Sequence, residues 1–124
     1  MDTCVFIWLC DEPELLTQRV RDICDDPDSE LYLSISSIWE MQIKALLGKL
    51  ELKASLVDAV THSKNNNRLR ILGIEESHVF GLKKLPSIHK DPFDRLLISQ
   101  AKELNMALLT CDAKIAQYPV NVIW

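Results

Sequence analysis

What this chain has little of narrows its class. Only three glycines and five prolines interrupt 124 residues, of which 48% are hydrophobic, the composition of an ordinary globular protein. No apolar run approaches the ~20 residues needed to span a bilayer, and the first residues lack the basic stretch and apolar segment of a secretory leader. The expected compartment is the cytosol, with no membrane partner. Cys4, Cys10, Cys24 and Cys111 form no CxxC pair and no zinc-like spacing, so they read as reduced, mostly buried small side chains. Internal repeats, linkers and low-complexity segments are absent. Residues 1–124 therefore read as one domain, long enough to bury about two thirds of its unfolded surface.

Positive charge is also in deficit. The net charge of −4 argues against non-specific nucleic-acid binding. The distribution is uneven: residues 1–40 carry ten of the eighteen acids, and residues 41–95 carry ten of the fourteen lysines and arginines. A basic flank on an acidic protein is compatible with a polyanion held at one face, and equally with a solvated surface.

Strand and helix signals alternate along the chain. Pro13 to Asp25 reads as a helix with Leu16, Val20, Ile23 and Cys24 on its buried stripe. A turn at 25–29 leads to a short strand at 31–35, and a helix from Ser36 to Gly48 follows. Ser37-x-x-Glu40 fits a capping box, and Lys44 stands four residues beyond Glu40, so capping and a surface ion pair are structural readings of that glutamate. A helix is expected over 54–63, a loop over 64–67, a strand over 69–72 and a helix over 75–84. The stretch His89-Lys90-Asp91-Pro92-Phe93-Asp94 is a helix start: Asp91 suits the N-cap and Pro92 the first helical position. Phe93, Leu96, Leu97, Ala101 and Leu104 give that helix one apolar face. Met106 to Thr110 is an apolar run typical of a buried strand, Cys111-Asp112 lies at its carboxyl end, and Val120 to Ile123 reads as a last strand. No long hairpin signal appears. The pattern predicts an α/β fold with a mostly parallel sheet covered on both faces.

In such a sheet ligands bind beyond the carboxyl ends of the strands. Asp2, Glu40, Asp94 and Asp112 come from four separated segments and each lies where a strand ends or a helix opens. Four carboxylates gathered at one edge repel and raise one another's pKa, and a hard cation such as Mg²⁺ or Mn²⁺ relieves that repulsion. His89 stands near these acids but reads as a loop residue rather than a ligand. An acidic, metal-holding edge suits phosphodiester hydrolysis, because a metal can activate water and neutralise phosphoryl charge.

Met1-Asp2-Thr3, Ser37-Ile38-Trp39-Glu40 with Lys44 and Gly48-Lys49-Leu50, Asp91-Pro92-Phe93-Asp94-Arg95-Leu96-Leu97, and Leu109-Thr110-Cys111-Asp112 together resemble the PIN-domain family, above all its VapC-like branch of bacterial toxins. The resemblance spans nearly the whole chain, and four motifs in order make it specific. It implies a Rossmann-like α/β/α sandwich acting as a Mg²⁺- or Mn²⁺-dependent ribonuclease, with RNA as substrate, a small antitoxin protein as partner, and a homodimer as its expected state. The family's acidic quartet falls on Asp2, Glu40, Asp94 and Asp112, with Asp91 as helix cap and outer support. Lys44 and Arg95 would contact phosphate or neutralise the acids, and Thr110 would position a water or bond backbone.

Three departures shape the expectations. Members usually carry an apolar strand before the first acid, whereas only Met1 precedes Asp2 here, so the first strand reads as truncated: either the product begins several apolar residues earlier, or this is a weakened domain with a mobile Asp2. Cys4 stands where Asn or His is common. Ala113, Lys114 and Ile115 stand where many members add another acid, which leaves one or two metals open. A non-catalytic PIN-like interaction module is the alternative reading. A receiver-like phosphoacceptor domain ranks lower, because Asp2 lacks a paired acid and Asp112 stands where that class places a lysine.

Overall fold

The computed structural model describes all of residues 1–124. Its first helix, α1 (Thr3–Asp11), falls where the sequence has no helical periodicity, since Val5 to Leu9 are all apolar. Asp2 starts it: its Oδ1 accepts the Val5 N–H at 2.8 Å. Val5 and Phe6 are fully buried, so α1 is an inner helix recognised by burial and not by pattern.

The helix expected over 13–25 is broken in two. A single 3₁₀ turn (Pro13–Leu15) is followed by α2 (Gln18–Asp25), because Thr17 turns extended and its hydroxyl caps the Val20 N–H. Next come β1 (Tyr32–Ser34), α3 (Ile35–Leu46), α4 (Leu56–Asn66) and β2 (Arg70–Leu72). The loop expected at 64–67 is largely the last turn of α4. Then α5 (Glu76–Gly81) runs on into a 3₁₀ turn (Leu82–Lys84), followed by α6 (Pro92–Glu103), β3 (Leu108–Leu109) and β4 (Val122–Ile123). Gly81 lets α5 approach α6 closely: a Cβ there would come within 2.4 Å of Ser99 Oγ, which donates to the His78 carbonyl at 2.7 Å.

All strand pairing is parallel. β1 pairs with β2 and β3 with β4, in two separate ladders. Met1 and Asp2 lie between the ladders, with the Met1 nitrogen donating to the Tyr32 carbonyl at 2.9 Å and the Asp2 N–H to the Leu109 carbonyl at 3.0 Å. The order across the molecule is thus β2, β1, Met1–Asp2, β3, β4. The two residues fill the middle without forming a strand. Asp2 is held by its backbone bond, its cap bond and its burial, which speaks against the mobile-Asp2 alternative.

Helices cover both faces. Leu109 packs into one core with Val5, Phe6, Val20 and Met41, while its neighbour Leu108 packs into another with Leu97, Ile98 and Ile115. Successive strand residues point to opposite faces, so α1, α2 and α3 lie on one side and α6 on the other. The result is the α/β/α layering that the alternation predicts. All four cysteines are free thiols, but only Cys24 is buried; Cys4 and Cys10 are half-buried and Cys111 is exposed.

Candidate metal centre

Asp91 caps α6, its Oδ1 accepting the Phe93 N–H at 2.8 Å and the Asp94 N–H at 3.3 Å. Pro92 takes the first helical position. This local chemistry fixes Asp94 in the first turn. Phe93 meets Trp39 of α3 edge-to-face, centroids 5.2 Å apart, and so brings the segments bearing Glu40 and Asp94 together.

Glu40 is not part of a capping box. Ser34 starts α3, accepting the Ser36 N–H at 3.1 Å, and Ser37 lies within the helix with its hydroxyl buried and unpartnered. The capping-box reading fails because the chain turns helical earlier than the Ser37 signal indicates. Glu40 instead points inward, 7% exposed; its Oε2 accepts the Thr3 hydroxyl at 2.5 Å and its Oε1 pairs with Lys44. The i,i+4 pair with Lys44 is as the spacing predicts. Lys44 is held protonated chiefly by its hydrogen bond to Glu40, with further help from the charges of Glu40, Asp91 and Asp94.

Asp2 and Asp112 both border Thr110. The Thr110 hydroxyl accepts the Asp112 N–H at 3.0 Å and also interacts with the Asp2 carboxylate. Fully buried, it bonds backbone, the second of the two roles its place at a strand end allows. Burial raises the Asp2 pKa, and the Thr110 hydroxyl and the Val5 N–H offset part of that rise.

Arg95 is the clearest revision. Its guanidinium is taken up by backbone, donating to the carbonyls of Pro86 at 2.8 Å, Leu82 at 3.1 Å and His89 at 3.4 Å. Five planar donors match a loop of converging carbonyls, so Arg95 ties the 82–91 segment to α6.

That tied segment delivers the residue the sequence reading set aside. His89 Nε2 lies 3.2 Å from Asp94 Oδ2 and 3.2 Å from Asp112 Oδ2. The ligand atoms of His89, Asp94 and Asp112 all fall within 4.8 Å of one another. The available signal was its place two residues before a helix cap, a position where a side chain can fold back over the helix start; the partner on Asp112, 23 residues on, has no local trace.

The two carboxylates facing His89 differ. Asp94 is pushed up to about 6, first by burial and then by Asp91, with Glu40 and Asp112 adding to the rise against the opposing pull of His89. Asp112 lies below the usual range: burial works against its ionisation, but the Lys114 N–H, His89 and the Ile115 N–H outweigh it. A site that strains one carboxylate with three others is chemically fitted to a hard divalent cation, whose charge removes the repulsion.

A parallel α/β sandwich with an acidic edge beyond its strands defines the class of a nuclease-type fold. The profile of the PIN domain matches residues 1–121, and the chain belongs to the PIN-domain family. PIN domains are typically nucleases acting on nucleic acid and are generally divalent-metal dependent. Among curated proteins none matches this chain. No helix is long and apolar enough to cross a membrane.

Proposed function

We propose that this chain is a Mg²⁺- or Mn²⁺-dependent endoribonuclease in which Asp2, Glu40, Asp94 and Asp112 form the metal-holding and catalytic centre. The observation that carries the reading is the strained pair: Asp94 and Asp112 share one small space, and burial with like charges drives Asp94 up to about 6. Asp94 and Asp112 would hold the cation, with Asp2 and Glu40 adding negative charge behind them. A bound divalent cation would supply a more acidic water and neutralise phosphoryl oxygens. The protein's own part is to hold four carboxylates in place before substrate arrives. Thr110 links Asp2 to Asp112, Thr3 and Lys44 orient Glu40, and Asp91 fixes the turn that presents Asp94.

The narrower reading is that the enzyme is a cytoplasmic, VapC-like toxin of a type II toxin–antitoxin pair, held inactive by a small antitoxin and dimeric. The motif resemblance supports it, and the exposed Leu46 and Leu47 at the end of α3 and Val57 at the start of α4 offer apolar surface for a protein partner. One domain over residues 1–124 is part of this proposal. Single-stranded RNA incubated with the protein should be cut internally with Mg²⁺ or Mn²⁺ and left intact with chelator. Tight Mn²⁺ binding with no RNA cleaved would favour a non-catalytic interaction module instead. A small reading frame encoding a DNA-binding domain just upstream would support the toxin assignment.

A further inference from the structure

His89 is close enough to both carboxylates to be taken for a third ligand, but its surroundings argue for a different role. Nδ1 accepts the backbone N–H of Asp91 at 3.1 Å. A peptide N–H can only donate, so Nδ1 must present its lone pair and the ring proton must sit on Nε2. Nε2–H then donates to Asp112 Oδ2 at 3.2 Å, with Asp94 Oδ2 equally near. An Nε2 carrying a proton has no lone pair for a metal.

A proton moved to Nδ1 would face the Asp91 N–H donor to donor, so the other tautomer is accommodated only if the ring turns, and the loop resists that. The His89 N–H donates to the Tyr118 hydroxyl at 2.7 Å, and its carbonyl accepts from Arg95 at 3.4 Å. Tyr118 in turn donates to the Pro86 carbonyl at 3.0 Å, where Arg95 also binds at 2.8 Å. Residues 86–91 are therefore held at both ends and in the middle, with the imidazole only 10% exposed.

We infer that His89 is a positioning residue: a fixed Nε2–H donor that draws the Asp94 and Asp112 carboxylates together and remains outside the ligand set of the bound cation. The second half of this inference rests on the metal-centre reading above; the first half stands on the metal-free geometry. With its acidic partners already aligned, the centre spends less ordering free energy when a cation arrives. Its coordination is then all-oxygen, so nothing in it selects nitrogen-preferring metals over Mg²⁺ or Mn²⁺.

Two measurements on the wild-type chain test this. In metal-free protein labelled with ¹⁵N-histidine, long-range ¹H–¹⁵N spectra should place the His89 proton on Nε2, the resonance being assigned by its loss in His89→Gln. A proton on Nδ1 overturns the inference. With Mn²⁺ bound, pulsed EPR should detect no directly coordinated imidazole nitrogen; a nitrogen coupling that changes with ¹⁵N-histidine labelling and disappears in His89→Gln overturns it equally. His89→Ala should weaken Mn²⁺ binding by about 10- to 100-fold, the usual cost of losing such a support. His89→Gln, whose amide can still donate to Asp112, should recover part of that loss, and equal weakening in both variants counts against the donor role. If wild-type protein binds no Mn²⁺ while the Nε2 tautomer is found, the metal-centre reading fails and the donor geometry survives.

Discussion

The acidic edge has two halves that solve the same electrostatic problem differently. On one side Asp2 and Glu40 are almost fully buried, at 5% and 7% exposure, and each is met by protein donors: the Val5 N–H and Thr110 for Asp2, Thr3 and Lys44 for Glu40. On the other side Asp94 and Asp112 are more open and share a single histidine. Asp112 has the Lys114 N–H at 2.6 Å as well, whereas Asp94 has only the shared imidazole and three neighbouring acids against it. The uncompensated charge is therefore concentrated on Asp94. Asp94, short of donors among other carboxylates, is where a cation would relieve the most repulsion.

The sharpest break of this contrast is Asp94→Asn. Asn keeps the first-turn geometry but removes the strained charge, so metal-dependent RNA cleavage should fall by at least about 100-fold, the scale of losing a group that stabilises developing charge. The metal-free fold should gain stability at pH 7, by up to about 3 kcal/mol from a shift of roughly two pKa units. Loss of activity together with a higher Tm is the signature. Unchanged cleavage at saturating Mg²⁺ would rule Asp94 out of the centre.

Metal and pH should act on the same residue with opposite signs. The folded pKa of Asp94 is raised from 3.8 to about 6, so the native state holds its proton longer than the unfolded chain. Its contribution is fully present below about pH 4 and is lost as pH rises through about 6, so on this account metal-free stability declines across that window. Mn²⁺ competes with that proton. Stabilisation by Mn²⁺ should grow over the same window and reach ~2.7 kcal/mol at a hundredfold excess over its dissociation constant. Melting curves at pH 4, 5, 6 and 7 with and without Mn²⁺ check both trends, and curves indifferent to millimolar Mn²⁺ contradict the site.

Arg95→Lys probes what carries His89. A single ammonium cannot reach the carbonyls of Leu82, Pro86 and His89 together, so stability should fall by about 1–3 kcal/mol as hydrogen bonds to the charged guanidinium are lost. Mn²⁺ affinity should fall with it, because the loop that presents the imidazole loosens. A loss of cleavage with stability and metal affinity untouched would return Arg95 to phosphate binding.

How much of this could be read from the sequence depends on how far each interaction reaches along the chain. The Asp91 cap, Pro92 at the first helical position and the Glu40–Lys44 pair connect residues no more than four apart, and the structure contains all three. Asn105 ends α6 with a positive φ of 52°, as a turn-forming residue can. Helix α1 left no trace because a helix buried on most sides has no polar face to give it a period. Thr17 splits the 13–25 segment although the apolar stripe runs through it, since a cap competes locally with a pattern that averages over turns. The partners of Arg95 and His89 left no trace in the sequence for one reason: they are carbonyls and carboxylates brought close by the 82–91 segment and β3, and no spacing encodes them.

Glu40→Gln makes the smallest expected change in stability and isolates the buried half of the edge. Gln can still accept the Thr3 hydroxyl through its carbonyl oxygen, so the contact between α1 and α3 survives. What is lost is the ion pair with Lys44, whose side chain is 46% exposed; such a screened i,i+4 pair is worth about 0.3–0.5 kcal/mol. Removing a buried charge near Asp94 works the other way, and the two together should leave Tm nearly unchanged. Cleavage should nevertheless fall, because Gln cannot supply the negative charge that Glu40 adds behind Asp94. The Asp94 pKa should drop at the same time, which shifts the fall in metal-free stability toward lower pH. If both activity and that pH profile match the wild type, Glu40 serves only to join α3 to α1, and the proposed centre shrinks to Asp2, Asp94 and Asp112.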